Sequence, residues 1–244
     1  MTIRQSGGES PLQRNSRQEI LSWIYRRLLR SLGPQGWWPA KSRLEVCIGV
    51  ILTQNTAWAN VEKAIQRLKT DGPLTVKRLL GLSEKRLADL IRPAGYFNVK
   101  AKRLRALLTY LQTRYGGSLD RLFRQEGKRL RSELLGVHGL GPESVDSILL
   151  YAGKKPFFVV DAYTQRILSR HGLLKEKASY EEAQELFVKN FSRDVRRFNE
   201  FHAFFVEVGK RFCRSTPRCW ECPLDPLPRS REGYKRFLQK EKVA

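Results

Sequence analysis

The chain has 244 residues, 41% of them hydrophobic, enough for one large or two small domains with packed cores. Lys and Arg number 46 against 24 Asp and Glu, a formal charge of +22 that runs along most of the sequence. A polyanion is therefore the expected ligand, nucleic acid ahead of a ribosomal or membrane-surface role. No apolar run approaches the roughly 18–20 residues of a membrane span. The opening MTIRQSGGESPLQRNSR has no hydrophobic core that would serve as a secretory signal. These features predict a globular intracellular protein, cytoplasmic and without a membrane partner, with residues 1–16 as a disordered tail.

Taken in order, the first predicted helix covers residues 17–32, where Ile20, Ile24 and Leu28 recur every four positions. Gly33-Pro34-Gln35-Gly36 stops it. Trp37 and Trp38 follow in a loop, where they either cover a core or form a pocket wall, since flat electron-rich faces suit stacking on a planar, cationic ligand. A helix begins near Ser42, and residues 44–54 are apolar almost all round, which marks a buried helix. Cys47 reads as a small core residue. Gln54, Asn55 and Thr56 close that run, with Gln54 in position to cap it.

Residues 60–69 place Val61, Ala64, Ile65 and Leu68 on one face, a core-facing stripe. Asp71-Gly72-Pro73 breaks this helix, and two short ones are expected at about 75–81 and 83–91. The loop 93–98 leads into a long helix over 99–115, with Ala101, Leu104, Leu107, Leu108 and Leu111 buried. Lys100, Lys102, Arg103 and Arg105 cluster at its start, either as a solvated face or as phosphate contacts.

The stretch 135–161, LGVHGLGPESVDSILLYAGKKPFFVVD, reads as a helix, a glycine hairpin, a second helix over about 143–151, a loop and one carboxylate. Gly139 and Gly141 supply backbone freedom for the turn, and Pro142 suits the first position of the next helix. The N–H groups left there form a site for a phosphate oxygen, with DNA backbone the natural ligand. Asp161 ends the apolar run 157–160 and begins a helix over 162–171, so N-capping and catalysis are both open to it. Ser179 with Glu182 forms a capping box for a helix ending near Phe191. A last helix over 195–212 carries Phe198, Phe201, Phe204 and Phe205 as core. With no convincing strand or internal repeat, the fold class is all-α.

The hairpin followed about twenty residues later by an apolar-apolar-Asp step resembles the signature of the endonuclease III superfamily of DNA glycosylases. Residues 36–65, GWWPAKSRLEVCIGVILTQNTAWANVEKAI, are similar to its 3-methyladenine DNA glycosylase branch, and PAGYFNVKAKRL resembles its minor-groove loop. The resemblance covers about residues 36–222. It implies a two-lobed helix-hairpin-helix glycosylase fold: a six-helix barrel over 43–155, and a discontinuous lobe from 17–42 and 156–244, with the DNA groove and Asp161 between them.

Within that resemblance Asp161 is the catalytic carboxylate. Gly139, Leu140, Gly141, Asn98, Lys100 and Lys102 contact DNA, Gln54 fills the gap left by the flipped nucleotide, and Trp37 and Trp38 line the base pocket. The partner implied is double-stranded DNA with a damaged base, bound by a monomer in the nucleoid. The implied reaction is base excision of an alkylated purine such as 3-methyladenine, with uracil, mismatched or oxidised bases, or binding without catalysis, as the alternatives. Bifunctional members use a lysine in the second hairpin helix; the matching position is Glu143, which implies a glycosylase without lyase activity. Cys213, Cys219 and Cys222 stand near the family's [4Fe–4S] ligands, but the fourth falls near Pro228. A cluster completed by another ligand, zinc, or three free thiols all fit that pattern.

Overall fold

The computed structural model describes residues 11–229, 233–234 and 237–239. Every regular element among them is helical. The chain divides into two compact units, one formed by Met1–Trp37 with Val160–Ala244 and one by Trp38–Val159.

The continuous unit is built around α2 (Arg43–Leu52), where every residue from Leu44 to Leu52 is buried. Ser42 starts it by accepting from Glu45 N at 3.2 Å, the N-cap geometry that satisfies one orphan donor of a first turn. Glu45 is itself buried and ion-paired with Lys69 at 2.8 Å. The unit continues through α3 (Trp58–Thr70), α4 (Val76–Gly81), α5 (Glu84–Leu90), α6 (Phe97–Tyr115), α7 (Leu119–Phe123), α8 (Gly127–Leu135) and α9 (Pro142–Ser147), of which α3, α6 and α9 pack against α2, and α4, α5 and α7 against α6. The stripe Val61, Ala64, Ile65 and Leu68 is buried on α3, and Ala101, Leu104, Leu107, Leu108 and Leu111 on α6. A π turn, Ile148–Ala152, continues α9 and packs against α2.

The other unit joins α1 (Pro11–Leu32) to α10 (Ala162–Arg170), α11 (Tyr180–Asn190) and α12 (Val195–Arg211). Ile20, Leu21, Ile24 and Leu28 of α1 are buried, and Phe187, Phe198, Phe201, Phe204 and Phe205 are fully enclosed. Phe201 and Phe205 stack at 5.0 Å, and Phe187 meets Phe201 edge-on at 5.3 Å, the offset and T-shaped arrangements that ring quadrupoles favour. The capping box of Ser179 and Glu182 is formed. Residues 11–16, expected in a tail, are instead the first turns of α1, for which Pro11 supplies a helix-compatible φ at the first position. The rest of that expected tail, residues 1–10, lies outside the described residues.

Candidate active site and nucleic-acid interface

The hairpin between α8 and α9 turns at Gly139, whose φ of +83° is left-handed backbone. A Cβ there would lie 2.1 Å from Arg103 Cγ, so the turn needs glycine for conformation and for space. Gly141 differs from expectation: its φ of −92° and ψ of 177° are ordinary extended backbone, open to many residues. Nothing lies within 4 Å of where its Cβ would stand. Leu140 is 5% exposed and its N–H is used by Val137 O at 3.1 Å, so its job is to pack the turn.

Gln54 is a cross-brace to this hairpin. Its Nε2 donates to Gly139 O at 3.1 Å and to Ser144 Oγ at 3.0 Å, while its Oε1 accepts from Arg103 Nη1 at 2.5 Å. The turn that carries Gln54 includes Asn55 at φ +52°, an exposed residue in left-handed backbone. A second such residue, Tyr96, has φ +44° and is 73% exposed immediately before α6. Asn98 and Lys102 are exposed on the first turns of that helix. Tyr96 thus combines left-handed backbone with a large ring held in water. Sequence reasoning passed over it because periodicity says nothing about a single loop residue.

Lys100 does not face solvent with its neighbours. It is 1% exposed, and its Nζ donates to Leu52 O and Thr56 Oγ1 at 2.7 Å and to Ala94 O at 2.9 Å. The ammonium thus satisfies a carbonyl at the end of α2 and ties two turns together, which removes it from the phosphate contacts expected of it. Burial, aided by the Arg103 charge, pulls its pKa down to about 8.

Trp38 packs edge-on against Trp58 at 5.1 Å and at 44° to Tyr151, also at 5.1 Å. Its ring edge lies over Gly49, where a Cβ would come within 3.3 Å. Trp37 belongs to the other unit, where Lys210 Nζ stands 5.6 Å from its ring centre. The partners Trp58 and Tyr151 were not singled out from the sequence, although Trp58 follows Gln54 by four residues.

Asp161 is the N-cap of α10. Its Oδ1 accepts from Thr164 N at 2.7 Å and Thr164 Oγ1 at 2.8 Å, and His202 Nε2 lies 3.6 Å from Oδ2. Burial raises the carboxyl's pKa, but His202 and the Thr164 donors outweigh it, and the group sits below its ordinary value. It is ionised at neutral pH, with its side chain 13% exposed. A capped, ionised carboxylate of this kind can stabilise positive charge or accept a proton from water.

Cys213, Cys219 and Cys222 line one cavity of about 260 Å³, shared with His171, Arg170 and Phe212. Arg170 Nη1 is 3.3 Å from Cys213 Sγ, and His171 Nδ1 is 3.3 Å from Pro228 O. Burial pushes the Cys222 thiol up. Among the described residues no three His, Cys, Asp or Glu are gathered closely enough for a single metal ion. Cys47 is a core residue whose thiol burial pushes up to about 12.

Among the described residues every regular element is thus helical, with a braced glycine hairpin and, beyond it, an aspartate that caps the next helix. The chain belongs to the HhH-GPD superfamily of base excision DNA repair proteins, whose family model matches residues 48–193. It is 46% identical over 207 residues to a Methanocaldococcus jannaschii protein described as a candidate DNA repair glycosylase, covering 84% of this chain and 94% of the relative. It is 32% identical over 181 residues to endonuclease III of Thermotoga maritima, covering 73% and 79%. Among solved structures, the Helicobacter pylori 3-methyladenine DNA glycosylase bound to 1,N6-ethenoadenine superposes with a TM-score of 0.69 at 30% identity, covering 80% of this chain and 97% of that one.

Proposed function

We propose that this glycosylase is monofunctional and hydrolyses the N-glycosidic bond of a flipped alkylated purine, such as 3-methyladenine, in double-stranded DNA. The observation that carries the reading is Asp161, one ionised carboxylate committed through Oδ1 to the helix it caps and left with Oδ2 for chemistry. As the bond from sugar to base breaks, positive charge develops on the deoxyribose, and a nearby carboxylate lowers the energy of that state and takes a proton from the attacking water. A 3-methylated adenine is already cationic and leaves without help from a second acid, so one carboxylate and a stacking surface suffice. Glu143 at the hairpin position of the Schiff-base lysine supports hydrolysis without strand cleavage.

On this reading the protein acts as a monomer, on DNA in the cytoplasm. The hairpin backbone at Gly139 and Gly141 meets phosphate, with Asn98 and Lys102 alongside. Gln54 and Tyr96 approach the disturbed base pair, and Trp37 and Trp38 face the extruded base. Cys213, Cys219 and Cys222 would hold a [4Fe–4S] cluster, whose contribution would be structural: it would cross-link the segment after α12. Absorbance near ~400 nm in anaerobically purified protein is the expected sign of it.

Release of free base from methylated DNA tests the function. Wild type should liberate 3-methyladenine, and Asp161→Asn should lose at least about 100-fold in rate with DNA affinity retained. Release confined to uracil or mismatch substrates would redirect the substrate assignment. A covalent DNA complex trapped by borohydride would overturn the monofunctional assignment.

A further inference from the structure

The two oxygens of Asp161 are not equivalent. Oδ1 is occupied by both donors of Thr164, at 2.7 and 2.8 Å, so its lone pairs hold the start of α10. Oδ2 is the oxygen left for the reaction, and His202 Nε2 faces it at 3.6 Å. His202 is 5% exposed on α12, one turn from the buried Phe198, Phe205 and Asn199. At 3.6 Å the contact is longer than a formed hydrogen bond and sets the polar edge of the ring against the carboxylate.

Several other ionisable groups on the elements packed here have partners of their own. Tyr25 of α1 lies against Phe201 and Phe204 beneath the Arg197 guanidinium. Glu200 of α12 accepts from Gln35 N. Arg166 of α10 donates to Cys213 O at 2.8 Å and sits over the Tyr163 ring. His202 is the group that α12 presents to Asp161.

We propose that His202 is a positioning residue for hydrolysis: its Nε2 edge holds the carboxylate of Asp161 in place and keeps Oδ2 charged. The inference deepens the glycosylase reading above and rests on it for the reaction itself. In that reaction the water oxygen bonds to C1′ while the C1′–N bond breaks, and the bonding pair leaves with the base. The water proton passes to Oδ2. His202 touches neither substrate nor water and acts only through the carboxylate. This explains how a largely enclosed carboxyl stays below its ordinary pKa, because burial alone would raise it.

The test uses full-length wild type with His202→Leu and His202→Gln, the glutamine placing an amide nitrogen near the position of Nε2. Two readouts are followed against pH: the single-turnover rate of 3-methyladenine release, and the Asp161 carboxyl resonance in 13C-aspartate-labelled protein, assigned by its absence from Asp161→Asn. The leucine variant should lose about 10- to 100-fold in plateau rate, the range for a misplaced catalytic group. Its acid-side midpoint and carboxyl titration should both move to higher pH. Glutamine should restore most of the rate, and DNA affinity should stay within about twofold in both variants, since no DNA contact is removed. An unmoved carboxyl midpoint in a folded leucine variant overturns the proposal, as does an unchanged rate. If leucine does not fold, His202→Asn, whose amide stops short of Oδ2, should show the same upward shift, and its absence overturns the proposal equally. The carboxyl titration needs no turnover, so a wild type that releases no base would end the glycosylase reading while the resonance still judged His202.

Discussion

At the head of α6 two lysines with the same local sequence context do opposite work. Lys100 donates to three oxygens inside the protein, and Lys102 faces water. Lys100→Met should destabilise the fold by on the order of 3 kcal/mol in chemical denaturation, because buried acceptors lose their donor, yet leave the salt dependence of DNA binding unchanged. Lys102→Ala should do the reverse, reducing the slope of log K against log salt by about one, with stability within about 0.5 kcal/mol of wild type. Asp161 supplies a pH signature. Its folded pKa is depressed, so the unfolded chain binds more protons between the two values, and stability rises with pH through that interval. The melting temperature of wild type minus that of Asp161→Asn should therefore climb as pH increases toward about 4, the unfolded carboxyl value, and stay level above about 5. A difference that is constant across that range would remove the ionised carboxylate from the account.

Helix α2 is the element on which the continuous unit depends. Ile48 is wholly buried in it, between helices that approach from several sides. Ile48→Ala should cost about 2–5 kcal/mol by urea denaturation, the range for a truncated core side chain that leaves a cavity. This helix was plain in the sequence because a run apolar on every side can only be buried. The stripes on α3 and α6 were legible for the same reason, hydrophobic spacing being the direct imprint of a core. Lys100 shows where that reasoning stopped short: it falls in register with Leu104, Leu107, Leu108 and Leu111, and its charge concealed what its position disclosed. His202 was hidden likewise, one turn before Phe205 among the buried residues of α12. The Gln54 brace to Ser144 and Arg103 had no sequence signal, because it joins residues 90 and 49 positions apart through side chains alone. The glycine hairpin was read correctly as a turn, but only Gly139 has the left-handed backbone that both glycines were expected to need.

Across the whole molecule, the charge of +22 and the family assignment point the same way, toward a polyanionic ligand gathered by long-range attraction and then read by a few contacts. The two compact units are not written in the same manner. Residues 38–159 are consecutive, whereas the other unit takes α1 from before them and α10 to α12 from after. Translation therefore delivers α1 first and its partners last. The ribosome makes all of residues 38–159 while Ile20, Leu21, Ile24 and Leu28 of α1 wait for α11 and α12 to emerge. Because domains fold as units during synthesis, the continuous unit can close while the chain is still attached. In that interval the apolar stripe of α1 is still without the α11 and α12 faces that bury it.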